Sequence, residues 1–151
     1  MKPHLDLLLV DDDAVDVLLF SRAAKESGLG LRLRALKSGQ QAIDYLQAKG
    51  EYADRSLHPM PDLIVLDLNM PGVTGFEFLA WRKPSVIFSS IPVIVLSGFK
   101  NDGAGTAAEL GADKYIAKSN DPMGWKRIVQ EVWDFGIQGA AFLQRNNLAA
   151  E

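Results

Sequence analysis

The 151-residue sequence lacks cysteine, which excludes disulfide bonds, thiolate metal sites and a cysteine nucleophile. It lacks any apolar stretch long enough to cross a bilayer, and the run from Leu7 to Val10 is too short for a signal peptide. Basic residues form no run and the net charge is −3, which argues against a surface for nucleic acid. These absences favour a cytoplasmic protein that acts through other proteins, with neither nucleic acid nor membrane as a partner.

What the sequence does contain is a regular alternation of strand-like and helix-like segments. Its length suits one compact domain, and a hydrophobic content of 48% is sufficient for a core. The predicted strands are 5–10, 31–36, 63–66, 92–96 and 115–117. Five helices are predicted between and after these strands. The first ends at Gly28, and the second and third cover 38–49 and 75–82. The fourth is capped at Asn101 or Asp102 and ends at Gly111, and the fifth begins at Asp121-Pro122. Consecutive βα units imply an α/β fold, with a parallel sheet covered by helices on both faces.

Polar side chains follow several of the predicted strands. Asp11, Asp67, Ser97 and Lys118 each stand just past the carboxyl end of a different strand. In open parallel sheets, ligands bind at the carboxyl ends of the strands, where the strand order reverses. We therefore expect these side chains to converge on one crevice.

The acidic run Asp11-Asp12-Asp13 is more than a helix needs at its beginning. One carboxylate, that of Asp13, is sufficient to cap the first helix. If Asp11 and Asp12 converge with Asp67, each pair repels by roughly 4 kcal/mol at about 4 Å with an effective dielectric constant of 20. A cation is expected there, and Mg²⁺ suits a small set of carboxylates with retained waters.

Phosphoryl transfer is the chemistry that this set of residues favours. Taken singly, Asp67 would be a turn former, Lys118 a solvated lysine and Ser97 a strand-end hydroxyl. Phosphoryl transfer depends on positioning and charge neutralisation, which Mg²⁺, Lys118 and Ser97 would provide. Asp67 would attack the phosphorus and form an aspartyl-phosphate.

These motifs resemble the receiver domains of two-component response regulators, over residues 5–135. The run Asp67-Leu-Asn-Met-Pro-Gly carries the resemblance, together with the acidic run, Ser97 and Lys118. The resemblance implies a flavodoxin-like doubly wound fold with strand order 2-1-3-4-5. It also implies a single-domain regulator that is phosphorylated by a sensor histidine kinase or a histidine phosphotransfer protein.

The resemblance also implies roles for individual residues. Asp67 would be the phosphoacceptor and also a ligand of Mg²⁺. The other ligands of Mg²⁺ would be Asp12 directly, Asp11 through water and the backbone carbonyl of Asn69. Ser97 would be the switch hydroxyl and Lys118 the lysine that contacts the phosphoryl group. Tyr115 would be the aromatic switch, although ordinary core packing explains it too.

Within this family, the segments Gly50-Glu-Tyr-Ala and Pro61-Asp-Leu-Ile resemble regulators that partner phytochromes. Two positions depart from the usual pattern. Ser119 follows Lys118 where relatives have a proline after a cis bond, so we expect a trans bond, a reshaped loop and a lysine further from the phosphoryl group. Phe99 stands where many relatives have a polar residue. We expect its bulk to hinder the water that attacks the aspartyl-phosphate and so to lengthen the lifetime of the phosphoryl group.

The C-terminal part of the chain is rich in large apolar residues. We expect a receiver domain over 1–136 and a tail over 137–151 that extends from the last helix or packs on it. The apolar residues are Trp125, Trp133, Phe135, Phe142 and Leu143. Two expectations remain open: the tail folds back on its own core, or the last helix and tail form a symmetric homodimer.

Two other functions compete with that of a phosphoacceptor. An adaptor with a receiver fold would not need the full set of Asp67, Asp12, Ser97 and Lys118. A Mg²⁺-dependent phosphatase of the haloacid dehalogenase kind would need a second aspartate two residues after the nucleophile, where this chain has Asn69. We therefore expect a protein that acts chemically only on itself, by gaining and losing a phosphoryl group.

Overall fold

The computed structural model describes residues 3–98 and 103–145. Within these residues the chain forms a sheet of five parallel strands in the order β2-β1-β3-β4-β5. The strands are β1 (Leu5–Val10), β2 (Leu31–Leu36), β3 (Leu63–Leu66), β4 (Val93–Ser97) and β5 (Lys114–Ala117). The predicted flavodoxin-like order is thereby confirmed.

Helices connect these strands and cover the sheet. They are α1 (Ala14–Ser27), α2 (Gly39–Leu46), α3 (Gly75–Arg82), α4 (Val86–Ser89), α5 (Ala104–Glu109), α6 (Pro122–Gly136) and α7 (Ala140–Arg145). The sequence did not predict α4 and α7. The helix predicted over 38–49 is shorter, because α2 ends at Leu46 and a 3-10 helix follows at Gly50–Tyr52. The caps expected at Asn101 or Asp102 lie outside the described residues.

The sheet separates two hydrophobic clusters. Along β1, Leu7 and Leu9 pack with α1 and α6 on one face, whereas Leu8 and Val10 pack with α2, α3 and α5 on the other. Side chains of a strand alternate between its two faces, so both faces of β1 must be apolar. The uninterrupted burial of Leu5–Val10 confirms the prediction of a strand buried on both sides.

The C-terminal apolar residues contribute to the second of these clusters. Phe142 of α7 is 2% exposed and packs in the same cluster as Trp125 and Val132 of α6. Its ring meets the Trp133 ring edge-on, with centroids 5.9 Å apart. The tail therefore folds back on the core at Phe142.

Membrane insertion is a separate question. Over residues 3–98 and 103–145, none of the helices has both the length and the apolar character needed to cross a membrane.

Candidate phosphoacceptor site

The side chains predicted to converge do so, at the carboxyl edge of the sheet. Backbone hydrogen bonds bring their strands together: Asp67 N–H donates to the Val10 carbonyl at 2.9 Å, and Lys118 N–H donates to the Ser97 carbonyl at 2.7 Å. Asp11 N–H similarly donates to the carbonyl at the end of β2. Because each bond joins the ends of neighbouring strands, the following side chains face the same crevice.

The carboxylate of Asp67 is the centre of this crevice. The Ser97 hydroxyl donates to its Oδ1 at 3.3 Å, and the Asn69 N–H approaches the same oxygen at 3.4 Å. Lys118 Nζ contacts the other oxygen, Oδ2, at 3.3 Å. Asp67 is 6% exposed, so the contacts are made in a largely dry environment.

A carboxylate cluster lies beside these contacts. Asp11, Asp12 and Asp67 each offer an oxygen, and these oxygens lie within 4.8 Å of one another. Ligands on opposite sides of an octahedral Mg²⁺ are about 4 Å apart, so this spacing is close to what one cation bridges. Asp11 and Asp67 are buried whereas Asp12 is exposed, which leaves one side open to water. The residues present therefore fit a hard divalent cation.

The three consecutive acids differ in their surroundings. Burial raises the pKa of Asp11 to about 6, against the lowering effects of the Asp13 N–H and of Lys118. The Asp13 N–H donates to Asp11 Oδ1 at 2.9 Å. Asp13 caps α1, as predicted, by accepting from the N–H groups of Val15 and Asp16. Only Asp11 and Asp12 of the run are therefore directed to the crevice.

Asp16 is a residue of the site that sequence reasoning missed. Its Oδ2 lies 2.7 Å from Lys118 Nζ, which also contacts Asp11 at 3.0 Å and Asp67 at 3.3 Å. Burial lowers the pKa of Lys118, but the hydrogen bonds to Asp16 and Asp11 and the charge of Asp67 outweigh it and raise the pKa. In the sequence, an acid in the first turn of a helix is explained by its favourable interaction with the helix dipole, so Asp16 gave no signal of a role in the site.

The loop after Lys118 follows the sequence prediction in its backbone. The Lys118–Ser119 peptide bond is trans. Ser119 accepts a hydrogen bond from the Asp121 N–H, and Asp121 caps α6 as predicted by accepting from the Gly124 N–H at 2.9 Å. Lys118 nevertheless reaches Asp67, so the expected loss of reach does not occur.

The loop that carries Asp67 is held by the beginning of α3. Gly75 N–H donates to the Leu68 carbonyl at 3.0 Å. A Cβ at Gly75 would overlap the backbone of Asp67 and Leu68, so only glycine allows this approach. A capping box between Thr74 and Glu77 begins the helix at the same point.

Tyr115 lies on β5 next to the site. It is half-buried, and its hydroxyl donates to the Gly98 carbonyl at 3.4 Å. A cavity of about 160 Å³ opens beside it, between α5 and the strands β4 and β5, and is bordered by Ala104, Ala107 and Ala108. Phe99, the other position singled out from the sequence, lies outside the described residues.

Comparison with known proteins agrees with this geometry. The family described as the response regulator receiver domain matches residues 7–130. Response regulator Rcp1 of Synechocystis sp. is 35% identical over 138 residues, covering 91% of this chain and 92% of that protein. The phosphorylated cyanobacterial phytochrome response regulator RcpA has a TM-score of 0.80 at 33% identity, with coverage of 91% and 96%. The Mn²⁺-bound form of Rcp1 has a TM-score of 0.75 at 34% identity, covering 87% of this chain and 93% of that chain. The chain therefore belongs to the response regulator receiver domain family.

Proposed function

We propose that this receiver domain accepts a phosphoryl group onto Asp67 from a phosphohistidine and passes the signal to a protein partner. One observation carries the proposal: Ser97 and Lys118 contact opposite oxygens of a buried Asp67, beside oxygens of Asp11 and Asp12. A buried acid surrounded in this way has both an acceptor oxygen and groups that neutralise an incoming phosphoryl group.

In the transfer, an oxygen of Asp67 attacks the phosphorus, the phosphorus–nitrogen bond breaks and the imidazole leaves. Lys118 Nζ, already 3.3 Å from Asp67, neutralises charge on the phosphoryl oxygens, and the Ser97 hydroxyl donates to another. Asp12, Asp67, Asp11 through water and the Asn69 carbonyl would hold Mg²⁺. When bound, Mg²⁺ supplies positive charge to the phosphoryl oxygens. A divalent ion occupies the related Rcp1, whose structure is described as Mn²⁺-bound.

The signal would leave through a shift between two packings of the same fold. Ser97 moves toward the phosphoryl group, and Tyr115 rotates into the space that this movement vacates. The cavity beside Tyr115 and the small side chains of α5 support this step, because a ring and a short helix can rearrange there with little overlap. The surface formed by α5, β5 and α6 then differs between the two states.

The partners follow from the family and from the relatives. The phosphodonor is a sensor histidine kinase, of the phytochrome type by similarity to RcpA, or a histidine phosphotransfer protein. We assign residues 1–136 to the receiver domain and 137–151 to a tail that contacts α6. A homodimer through α6 and the tail remains a proposal, supported by the half-buried Trp133, Phe135 and Leu143. A monomeric mass at high concentration, with and without phosphorylation, would exclude it.

The decisive experiment is phosphorylation of the purified protein with acetyl phosphate and Mg²⁺. We expect the intact mass to increase by one phosphoryl group, and we expect no increase for Asp67→Asn or when Mg²⁺ is chelated. A phosphorylated Asp67→Asn protein would contradict the assignment. An unmodified wild-type protein would instead favour the unphosphorylated adaptor, and turnover of small phosphate esters would favour the phosphatase.

Neighbouring acids provide a matched control for the metal. Asp12→Asn should weaken Mg²⁺ binding in calorimetry, because it removes an oxygen of the cluster. Asp13→Asn removes the same charge one residue later but leaves a good helix cap, so Mg²⁺ binding should change little. Equal losses in both variants would show that net charge alone attracts the ion.

A further inference from the structure

Asp16 makes the shortest of the contacts described for Lys118 Nζ, at 2.7 Å against 3.0 Å for Asp11 and 3.3 Å for Asp67. The two residues are far apart in sequence and meet because α1 begins at the crevice and β5 ends there. The side chain of Lys118 is 12% exposed and that of Asp16 is 21% exposed, so water screens the pair only partly. The contact therefore belongs to the site rather than to the outer surface.

Asp16 is not needed for the start of its own helix. Asp13 is the N-cap, and its carboxylate accepts from the backbone N–H of Asp16 itself. An acid in the first turn could act on the helix dipole from a solvent-facing position. Here the carboxylate instead reaches across the crevice to Lys118, which a role in the helix alone does not require.

A conflict arises at Lys118 when a cation binds. The carboxylates of Asp11 and Asp67, which would face the cation, are also in contact with Lys118 Nζ. A lysine paired with these acids alone would compete with the cation or be released to solvent when it binds. Asp16 offers Lys118 a partner that lies outside the Asp11, Asp12 and Asp67 cluster.

We propose that Asp16 is a positioning residue, which keeps Lys118 Nζ beside Asp67 while a divalent cation takes up the oxygens of Asp11 and Asp67. This inference rests on the proposed function. Asp16 would thereby anchor the side chain of Lys118 from a second direction. The peptide bond from Lys118 to Ser119 is trans. Asp16 acts through Lys118 and does not itself touch the reacting atoms.

The test is a double-mutant cycle of Asp16→Asn and Lys118→Ala, read first as Mg²⁺ affinity by calorimetry. In the wild-type background, Asp16→Asn leaves Lys118 on Asp11 and Asp67, where it competes with Mg²⁺. We expect Asp16→Asn to lower the Mg²⁺ affinity about tenfold in the wild-type background. When Lys118 is already alanine, the same substitution should lower it only about twofold. A coupling of this size is typical of residues in contact. Glu26→Gln, which removes one exposed charge from the far end of α1, controls for net charge.

Two further measurements separate positioning from fold and from charge. Unfolding in urea without metal shows whether each variant is folded, and the same cycle there measures the contact with no phosphoryl chemistry involved. At saturating Mg²⁺, phosphorylation by acetyl phosphate should be slower in Asp16→Asn and largely restored in Asp16→Glu.

The outcomes are distinguishable. If the wild-type protein binds Mg²⁺ and is phosphorylated on Asp67, but Asp16→Asn has the same effect in both Lys118 backgrounds, then Asp16 acts only as a charge and the inference is wrong. If the wild-type protein neither binds Mg²⁺ nor becomes phosphorylated, the proposed function fails and the role of Asp16 fails with it.

Discussion

At the scale of single residues, identical side chains in this site have different physical roles. Asp11 is buried and contacts Lys118, Asp12 is exposed next to it, and Asp13 caps α1. The differences follow from where each carboxylate points as the chain turns from β1 into the helix. Burial raises the pKa of Asp11 to about 6.

Mg²⁺ affinity should therefore depend on pH through Asp11. Because the cation competes with a proton for this carboxylate, affinity should fall by about tenfold per pH unit below about pH 6. Calorimetry between about pH 5 and pH 7 would measure this slope, and Asp11→Asn should remove it. A slope that persists in Asp11→Asn would assign the proton to another group.

The same pKa has the opposite effect on the metal-free fold. A carboxyl whose folded pKa lies above its unfolded value binds the proton more tightly when folded. The cost of burying the charged form of Asp11 is present above about pH 6 and is relieved as the pH falls from about 6 toward 3.8. Binding of the cation and stability of the empty site thus respond to acid in opposite directions.

At the scale of elements, the β5–α6 loop shows how the site accommodates the serine that follows Lys118. Ser119 packs directly on Gly124 in the first turn of α6, and a Cβ at Gly124 would overlap the Ser119 side chain. The missing side chain in the helix therefore makes room for the loop that leads away from Lys118.

Gly124→Ala should destabilise the protein for this reason. Overlap with Ser119 costs about 1–3 kcal/mol, and the better helix propensity of alanine returns up to about 1 kcal/mol. In a Ser119→Gly background the same substitution should be neutral or stabilising, as measured by urea unfolding. Ser119→Ala removes the nearest overlapping atom, Oγ, but keeps the overlapping Cβ, so its relief should be smaller. Equal losses in all backgrounds would contradict the packing argument.

Short elements were also those that the sequence predicted least well. Helix α4 (Val86–Ser89) is only one turn long, too short for a helical period of apolar residues to be visible. Arg82 explains why it forms: the buried guanidinium donates to the carbonyls of Ser89 and Ile91, which holds the chain between α3 and β4. Contacts between a side chain and carbonyls seven and nine residues later leave no periodic pattern in the sequence.

At the scale of the whole molecule, the sheet and its two clusters determine which residues face the crevice. The tail belongs to this framework, because Phe142 completes the cluster formed by α1, α6 and the sheet. Burial of Phe142 uses part of the apolar surface on which the homodimer expectation was based.

Phe142→Ala should therefore lower the free energy of unfolding by about 3 kcal/mol, the usual cost of emptying a buried aromatic site. Gln144→Ala, an exposed change in the same helix, should have an effect within about 0.5 kcal/mol. Urea unfolding of the two variants gives the comparison. Equal stability of both would mean that α7 contributes little to the core.

The sequence by itself determined the strands, their parallel arrangement and the convergence of Asp11, Asp67, Ser97 and Lys118. Buried strands show as apolar runs, and the topology of βα units places their carboxyl ends at one edge. The pattern of residues was therefore sufficient to place these four side chains at one edge of the sheet.

Only the tertiary structure decided which side chains meet within that site. The contact between Asp16 and Lys118, the raised pKa of Asp11 and the packing of Phe142 depend on helix rotation and on burial by distant segments. Local periodicity records which face of an element is apolar. It does not record which charged group on the opposite side of a crevice lies within hydrogen-bond distance, since that depends on the packing of the whole chain.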